Sequence, residues 1–338
     1  MALMRAADMG YGSDADGLVW GYRFGPGHGP AAINGEAAAR WLQAPPAPGE
    51  FIWLHFSLSN AATGRWMHDT LRLSEAFHEA LHESVGSTRL ELTDDALIAV
   101  IHDVMFNTSF DASSISTATI WVAPHLVVSA RLRPLRSMDR LRAAVKTGQP
   151  LRSAAELLAQ LLREQAAVLI EIMRDSTARV DEVEDSLLDN RVATSRAGMS
   201  AQRRSLVRLQ RLLAPEPAAL FRLLNRPPAW LSEHDVADLR QAAEEFSVAV
   251  ADAAALTERL KLLQEELTAM LNEHTNRTLF ILTLVTVLAL PINLVAGLLG
   301  MNVGGIPLAG HAHGFELVVT TLAVITGLLA WLMFLRRD

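Results

Sequence analysis

Cysteine is absent from all 338 residues. That excludes disulfides, thiolate metal sites and a cysteine nucleophile, and leaves imidazole as the donor nearest to what zinc prefers. A positive charge balance is missing as well: Lys and Arg number 30 against 37 Asp and Glu, a formal net charge of −7. A chain of that sign argues against nucleic-acid binding and permits cation attraction. The opening MALMRAADMGYGSDADG has no continuous apolar core and soon meets Asp8, Asp14 and Asp16, so it does not read as a secretory signal and the N-terminal part is expected to stay in the cytosol. P-loop and GxSxG elements are also missing.

What the chain does have is apolarity. Half the residues are hydrophobic and the mean hydropathy is positive, yet 20% are charged. That mixture reads as a soluble part with a membrane anchor, and the length leaves room for about two domains. Two runs supply the anchor. TLFILTLVTVLALPINLVAGLL, Thr278 to Leu299, holds 22 uncharged residues; at about 1.5 Å per residue it covers roughly 33 Å, enough for the hydrocarbon core. Pro291 is expected to kink it and to free a carbonyl. FELVVTTLAVITGLLAWLMFL, Phe315 to Leu335, adds 21 residues whose single charge is Glu316 at the start. Arg277 precedes the first run, Arg336 and Arg337 follow the second, and the 15 residues from Gly300 to Gly314 contain no Lys or Arg. The positive-inside rule therefore places both termini in the cytosol and the connecting loop outside.

Upstream, Phe246, Ala249, Ala253, Leu256, Leu260, Leu263, Leu267 and Met270 recur at alternating steps of three and four, a coiled-coil signal. No Pro or Gly lies between Trp230 and Pro291. One helix is therefore predicted from about Ser232, an N-cap candidate, to about Leu299. A second stripe follows the same rhythm: Asn276, Leu279, Thr283, Thr286, Leu290, Asn293, Gly297 and Gly300. Extended backward it passes Asn272, Ala269, Glu265, Leu262 and Glu258, which sets carboxylates inside the stalk. Asparagine in hydrocarbon needs a polar partner or water. Either the small and polar residues glue helices together, or several copies surround a wet axis. Two spans per chain cannot enclose a path, so a pore requires a homo-oligomer.

Gly300, Met301 and Asn302 end this long helix, and a second span runs from there to a short basic tail. The arrangement resembles the CorA superfamily of divalent-cation transporters. Within it, GMNVGGIP, Gly300 to Pro307, resembles the ZntB-type zinc transporters, because the magnesium members usually carry an aromatic after GMN and an acidic turn, where this chain has Val303 and no acid in the loop. The resemblance implies a homopentameric funnel with an α/β cytosolic domain, a long stalk helix, five first spans around a central pore and five second spans against membrane lipids. It implies that Gly300, Met301 and Asn302 recruit a hydrated cation at the external mouth, that Asn293 forms a polar ring, that Leu290 and Leu282 sit near hydrophobic constrictions, and that Asn276 marks the cytosolic mouth. Thr283 and Thr286 lie on the same lining. The implied cargo is Zn²⁺, with proton coupling described for such members; no resident cofactor is implied.

Imidazoles extend this reading. His311 and His313 lie in the external loop, where copies of the chain would concentrate zinc; the bland reading is a Gly/His turn. His78 and His82 are spaced four apart on a predicted helix and fit a zinc site. The stretch His78-Glu79-Ala80-Leu81-His82 also matches the HExxH of zinc hydrolases, but supplies no third ligand. His102 with Asp103 is a weaker pair. Glu258 and Glu265 are further cation-binding candidates.

The organisation expected is a mixed cytosolic domain over 1–150, a helical hairpin over 151–229, a stalk over 230–277, the first span over 278–299, the external loop over 300–314, the second span over 315–335 and a cytosolic tail over 336–338. GLVWGYRF, FIWLHFSL, ALIAVIHDV and IWVAPHLVVSARL are strand candidates, and Ala61 to Glu83 is helical in pattern. Residues 151–213 read as two helices turning near Ala197–Ser200. The first carries Asp175, Asp181, Glu182, Glu184, Asp185 and Asp189, the second Arg203, Arg204, Arg208 and Arg211, and these charges pair, face solvent or draw cations. Pro215, Pro217, Pro227 and Pro228 mark a bend into the stalk. The function expected is divalent-cation transport across the inner membrane, Zn²⁺ first. Mg²⁺, Co²⁺ or Ni²⁺ passage and a non-transporting membrane-anchored scaffold are the alternatives, and an enzyme is not expected.

Overall fold

The computed structural model describes residues 12–82, 89–93, 95–105, 115–188, 196–301 and 311–335. The chain divides into two compact units, Met1–Leu262 and Leu263–Asp338.

In the first unit the described strands form one sheet of seven: β1 Leu18–Gly25, β2 His28–Ala32, β3 Phe51–Ser57, β4 Arg89–Leu92, β5 Leu97–Val104, β6 Ile115–Ala123 and β7 Leu126–Arg131, in the order β2-β1-β3-β7-β6-β5-β4. β3 and β7 are parallel, in register from Ile52 with Leu126 to Ser57 with Arg131; the other pairs are antiparallel. Every residue of β3 and β5 is buried, which is why FIWLHFS and LIAVIHDV read as near-continuous apolar runs, not alternating ones. One face (Phe51, Trp53, Ala99, Ile101, Ile120, Val127) packs on α4 Arg136–Lys146, α5 Ala154–Leu188, α7 Pro215–Leu224 and the first turns of α8 Glu233–Leu299 through Met138, Leu141, Leu158, Leu162, Leu220 and Leu239. The other face (Ile52, Leu54, Phe56, Ile98, Val100, Val128) packs on α1 Gly35–Leu42, a π-helical turn Met67–Leu71 and α3 Glu75–His82 through Ala38, Met67, Leu71, Phe77 and Ala80. The result is a sheet covered by helices on both sides.

The strand candidates become β1, β3 and β5, while IWVAPHLVVSARL divides into β6 and β7 at Pro124 and His125, because proline has no N–H to continue the ladder. The helical pattern over Ala61–Glu83 resolves into α2 Thr63–Trp66, the π turn and α3, with Glu83 outside the described residues. Two expectations are corrected. Ala197–Ser200 is not a turn: α6 already starts at Arg196 and runs to Leu213, accommodating Gly198 at a cost of about 1 kcal/mol. Pro215 and Pro217 lie not in a loop but at the start of α7, with Pro215 in its first turn, where the missing N–H has no intrahelical partner to lose.

α8 begins as the sequence predicts. The Asp235 N–H donates to Ser232 Oγ at 3.1 Å and the Ser232 N–H to Asp235 Oδ2 at 3.2 Å, a reciprocal cap of the first turn. Phe246, Ala249, Ala253, Leu256 and Leu260 are all buried within a single chain. The three-four seam is therefore filled by the chain's own core and is not held open for a coiled coil between copies. Polar contacts follow the same packing: Arg152 Nη2 meets Asp238 Oδ2 at 2.8 Å, and Arg259 grips Asp181 at 2.8 Å and Glu184 through Nε at 2.9 Å. α5 and the start of α8 thus run side by side in the same direction. The α5 carboxylates 181 and 184 pair with α8, while Arg204, Arg208 and Arg211 of α6 face solvent; Asp189 lies outside the described residues.

In the second unit α8 continues through Pro291 to Leu299, and α9 spans Gly314–Leu335. Both helices contain segments long and apolar enough to cross a membrane, with mean hydropathy of 2.5 and 2.0.

Candidate metal-ion path

The polar stripe of α8 is laid down by helical periodicity alone, and the structure shows what it touches. Asn276, Leu279, Thr283, Thr286, Leu290, Asn293, Gly297 and Gly300 are all exposed in the single chain, as is Leu282. α9 is met from a neighbouring face: Ile292, Val295 and Leu299, with Gly300 of the stripe, line an apolar groove of about 440 Å³ with Phe315, Val318, Val319 and Leu322. The asparagines and threonines of the stripe do not line that groove.

The threonines are prepared in a specific way. Thr283 Oγ1 donates to the Leu279 carbonyl and Thr286 Oγ1 to the Leu282 carbonyl, each at 2.8 Å. Their hydroxyl protons are committed to the helix, so each oxygen turns only lone pairs outward. Together with the Asn276 and Asn293 amides the stripe offers neutral oxygen acceptors interspersed with the apolar side chains of Leu279 and Leu290, with Leu282 beside it. That pattern suits a hydrated cation, which needs oxygen partners but not a site deep enough to trap it. Below it, Glu258 and Glu265 continue the stripe and are exposed, Glu258 with Lys261 Nζ at 2.9 Å.

Of the GMN triplet, Gly300 and Met301 are exposed at the end of α8, and Asn302 lies outside the described residues. His311 and His313 lead into α9: the Gly314 N–H donates to the His311 carbonyl and the Leu317 N–H to the His313 carbonyl, each at 3.1 Å. His313 Nδ1 lies 3.2 Å from Glu316 Oε2, both strongly exposed.

His78 and His82 share α3 as expected, and Glu79 is exposed beside them. His102 and Asp103 belong elsewhere. Both are buried in β5, where the Gln165 amide donates to the His102 carbonyl at 2.7 Å and the Glu216 carboxylate accepts the His102 N–H at 2.6 Å. Asp103 Oδ2 accepts from the Ser137 N–H at 2.9 Å and the Ser137 hydroxyl at 2.5 Å, capping the first turn of α4 from β5. This network joins β5 to α4, α5 and α7. Sequence reading missed it, though Glu216 between two prolines in an apolar stretch was its signal. Among the described residues, no three of His, Cys, Asp and Glu stand close enough to hold a metal together.

Burial pushes the Asp103 carboxyl up to about 7, against the pull of its hydrogen bonds, and raises Glu216 in the same direction. The folded state then keeps a proton that the unfolded chain releases near pH 4, so stability is fullest below that pH and is lost as pH rises toward 7. Thermal melts of the full-length protein are expected to drop across pH 4–7 and flatten above it. Asp103→Asn is expected to remove a large part of that slope; an unchanged slope would contradict the assignment.

Residues 48–337 match the family described as CorA-like Mg²⁺ transporter protein. A divalent cation transporter, CmaX, of Pseudomonas aeruginosa is 28% identical over 321 residues, 94% of this chain and 96% of that one. The zinc transport protein ZntB of Pectobacterium atrosepticum is 23% identical over 286 residues, covering 85% and 86%. Among solved structures, full-length CmaX superposes with a TM-score of 0.79 at 26% identity over 96% of this chain and 98% of that one, and the CorA magnesium transporter of Methanocaldococcus jannaschii with 0.72 at 18% over 92% and 96%. A sheet domain feeding one long helix, two apolar helices and a family match across most of the length lead to one conclusion: the chain belongs to the CorA-like Mg²⁺ transporter family, whose members move divalent cations and are not enzymes.

Proposed function

We propose that copies of this chain, five as the family resemblance implies, surround a wet path lined by the α8 stripe and carry Zn²⁺ across the bacterial inner membrane. The observation that carries this reading is the stripe itself: its asparagines and threonines are exposed, and none of them lines the groove against α9. Two apolar helices per chain support insertion, and the arginine distribution supports cytosolic termini. The scaffold alternative loses its motive, since the seam that suggested a coiled coil is buried inside one chain.

For the ion, the relatives named as zinc transport proteins support Zn²⁺, as does a loop without acid and with two imidazoles. The CmaX relative, named for divalent cations in general, supports Mg²⁺, Co²⁺ or Ni²⁺ passage as the second reading. Reconstituted flux with each of the four ions under an imposed pH gradient separates them: fastest Zn²⁺ movement, responsive to the gradient, is expected, and preference for Mg²⁺ would favour the second reading. Replacing His311 and His313 together by Ala is expected to raise the Zn²⁺ concentration for half-maximal flux several-fold without changing maximal flux, because these imidazoles concentrate the ion and do not conduct it. An unaltered zinc dependence would remove these two residues from the account.

A further inference from the structure

A pair of histidines on the α/β unit is brought together by the fold and not by sequence spacing. His68 lies in the π-helical turn Met67–Leu71, and its ring centroid is 5.7 Å from that of His78 on α3. A π turn holds more residues than an α turn and recurs at functional sites. This one ends on Arg72, a non-glycine residue at φ 50°, a conformation that costs on the order of 1 kcal/mol.

The two rings are chemically prepared. His68 Nδ1 lies 3.1 Å from Asp69 Oδ1. An ionised carboxylate only accepts, so Nδ1 carries the proton and Nε2 the lone pair; carboxylates orient metal-ligating histidines in this way. His78 Nε2 is buried with no hydrogen-bond partner, and such isolation costs about 1–3 kcal/mol. The His68 side chain is 76% exposed, so it is free to turn and open access to His78.

We propose that His68 and His78 bind a zinc-class divalent ion on the α/β unit, outside the membrane helices. Two imidazoles with water completing the shell suit Zn²⁺, whereas Mg²⁺ demands oxygen ligands. The site is independent of which ion the protein carries.

The test is Zn²⁺ titration by calorimetry of the full-length protein in detergent, stripped of metal and held in excess Mg²⁺. The protein with both His68→Ala and His78→Ala is expected to bind one fewer Zn²⁺ per chain than wild type at unchanged melting temperature. His68→Ala alone, an exposed change that spares the fold, is expected to weaken the same binding at least about tenfold. Equal stoichiometry and affinity in the folded double variant would overturn the proposal. If the double variant unfolds, unchanged affinity in His68→Ala overturns it.

Discussion

Asn302→Ala is expected to abolish cation flux in proteoliposomes while leaving assembly and melting temperature unchanged. The residue directly follows Gly300 and Met301, which are exposed where α8 ends. A side-chain amide there gives each copy a neutral oxygen that can replace a water in the outer hydration shell without stripping the ion. In the proposed oligomer alanine removes that oxygen from every copy at once, so the loss multiplies around the ring. Full transport by the variant would count strongly against a role at the pore mouth.

Asn293→Leu is expected to lower flux by at least an order of magnitude. Its amide is exposed on the stripe, one turn from Leu290, itself 65% exposed. A leucine at 293 would lengthen the apolar stretch that Leu290 begins, and hydrophobic constrictions close by losing water. Asn293→Ser, which keeps an oxygen, is expected to retain much of the flux. The helix-glue reading makes the opposite forecast: flux unchanged, and assembly weakened by about 1–2 kcal/mol through a lost interhelical hydrogen bond.

The membrane half was legible because its signals are one-dimensional. Uncharged runs gave both spans, and Ser232 with Asp235 gave the start of α8 to within a residue. Continuous apolar runs likewise gave β3 and β5. Short edge strands such as HGPAA and RLEL carry too little apolar pattern to announce themselves. The seam from Phe246 to Leu260 was visible but its partner was not, since periodicity records that a face is buried and not what buries it. The same limit applies to His68: ten residues from His78 in sequence, it meets that ring only because a π turn intervenes. Gln165 was illegible for a related reason, lying 63 residues from the His102 backbone it satisfies.

The native absence of cysteine makes the central claim directly measurable. Single cysteines at Thr286 and Asn293, on the stripe, are compared with single cysteines at Ile281 and Ile292 on the other side of α8, each treated in proteoliposomes with a charged, membrane-impermeant thiol reagent. Rapid labelling at 286 and 293 that blocks cation flux, with slow labelling at 281 and 292, is the result expected of a hydrated channel. Protection of 286 and 293, or equal reactivity on both sides of the helix, would contradict it.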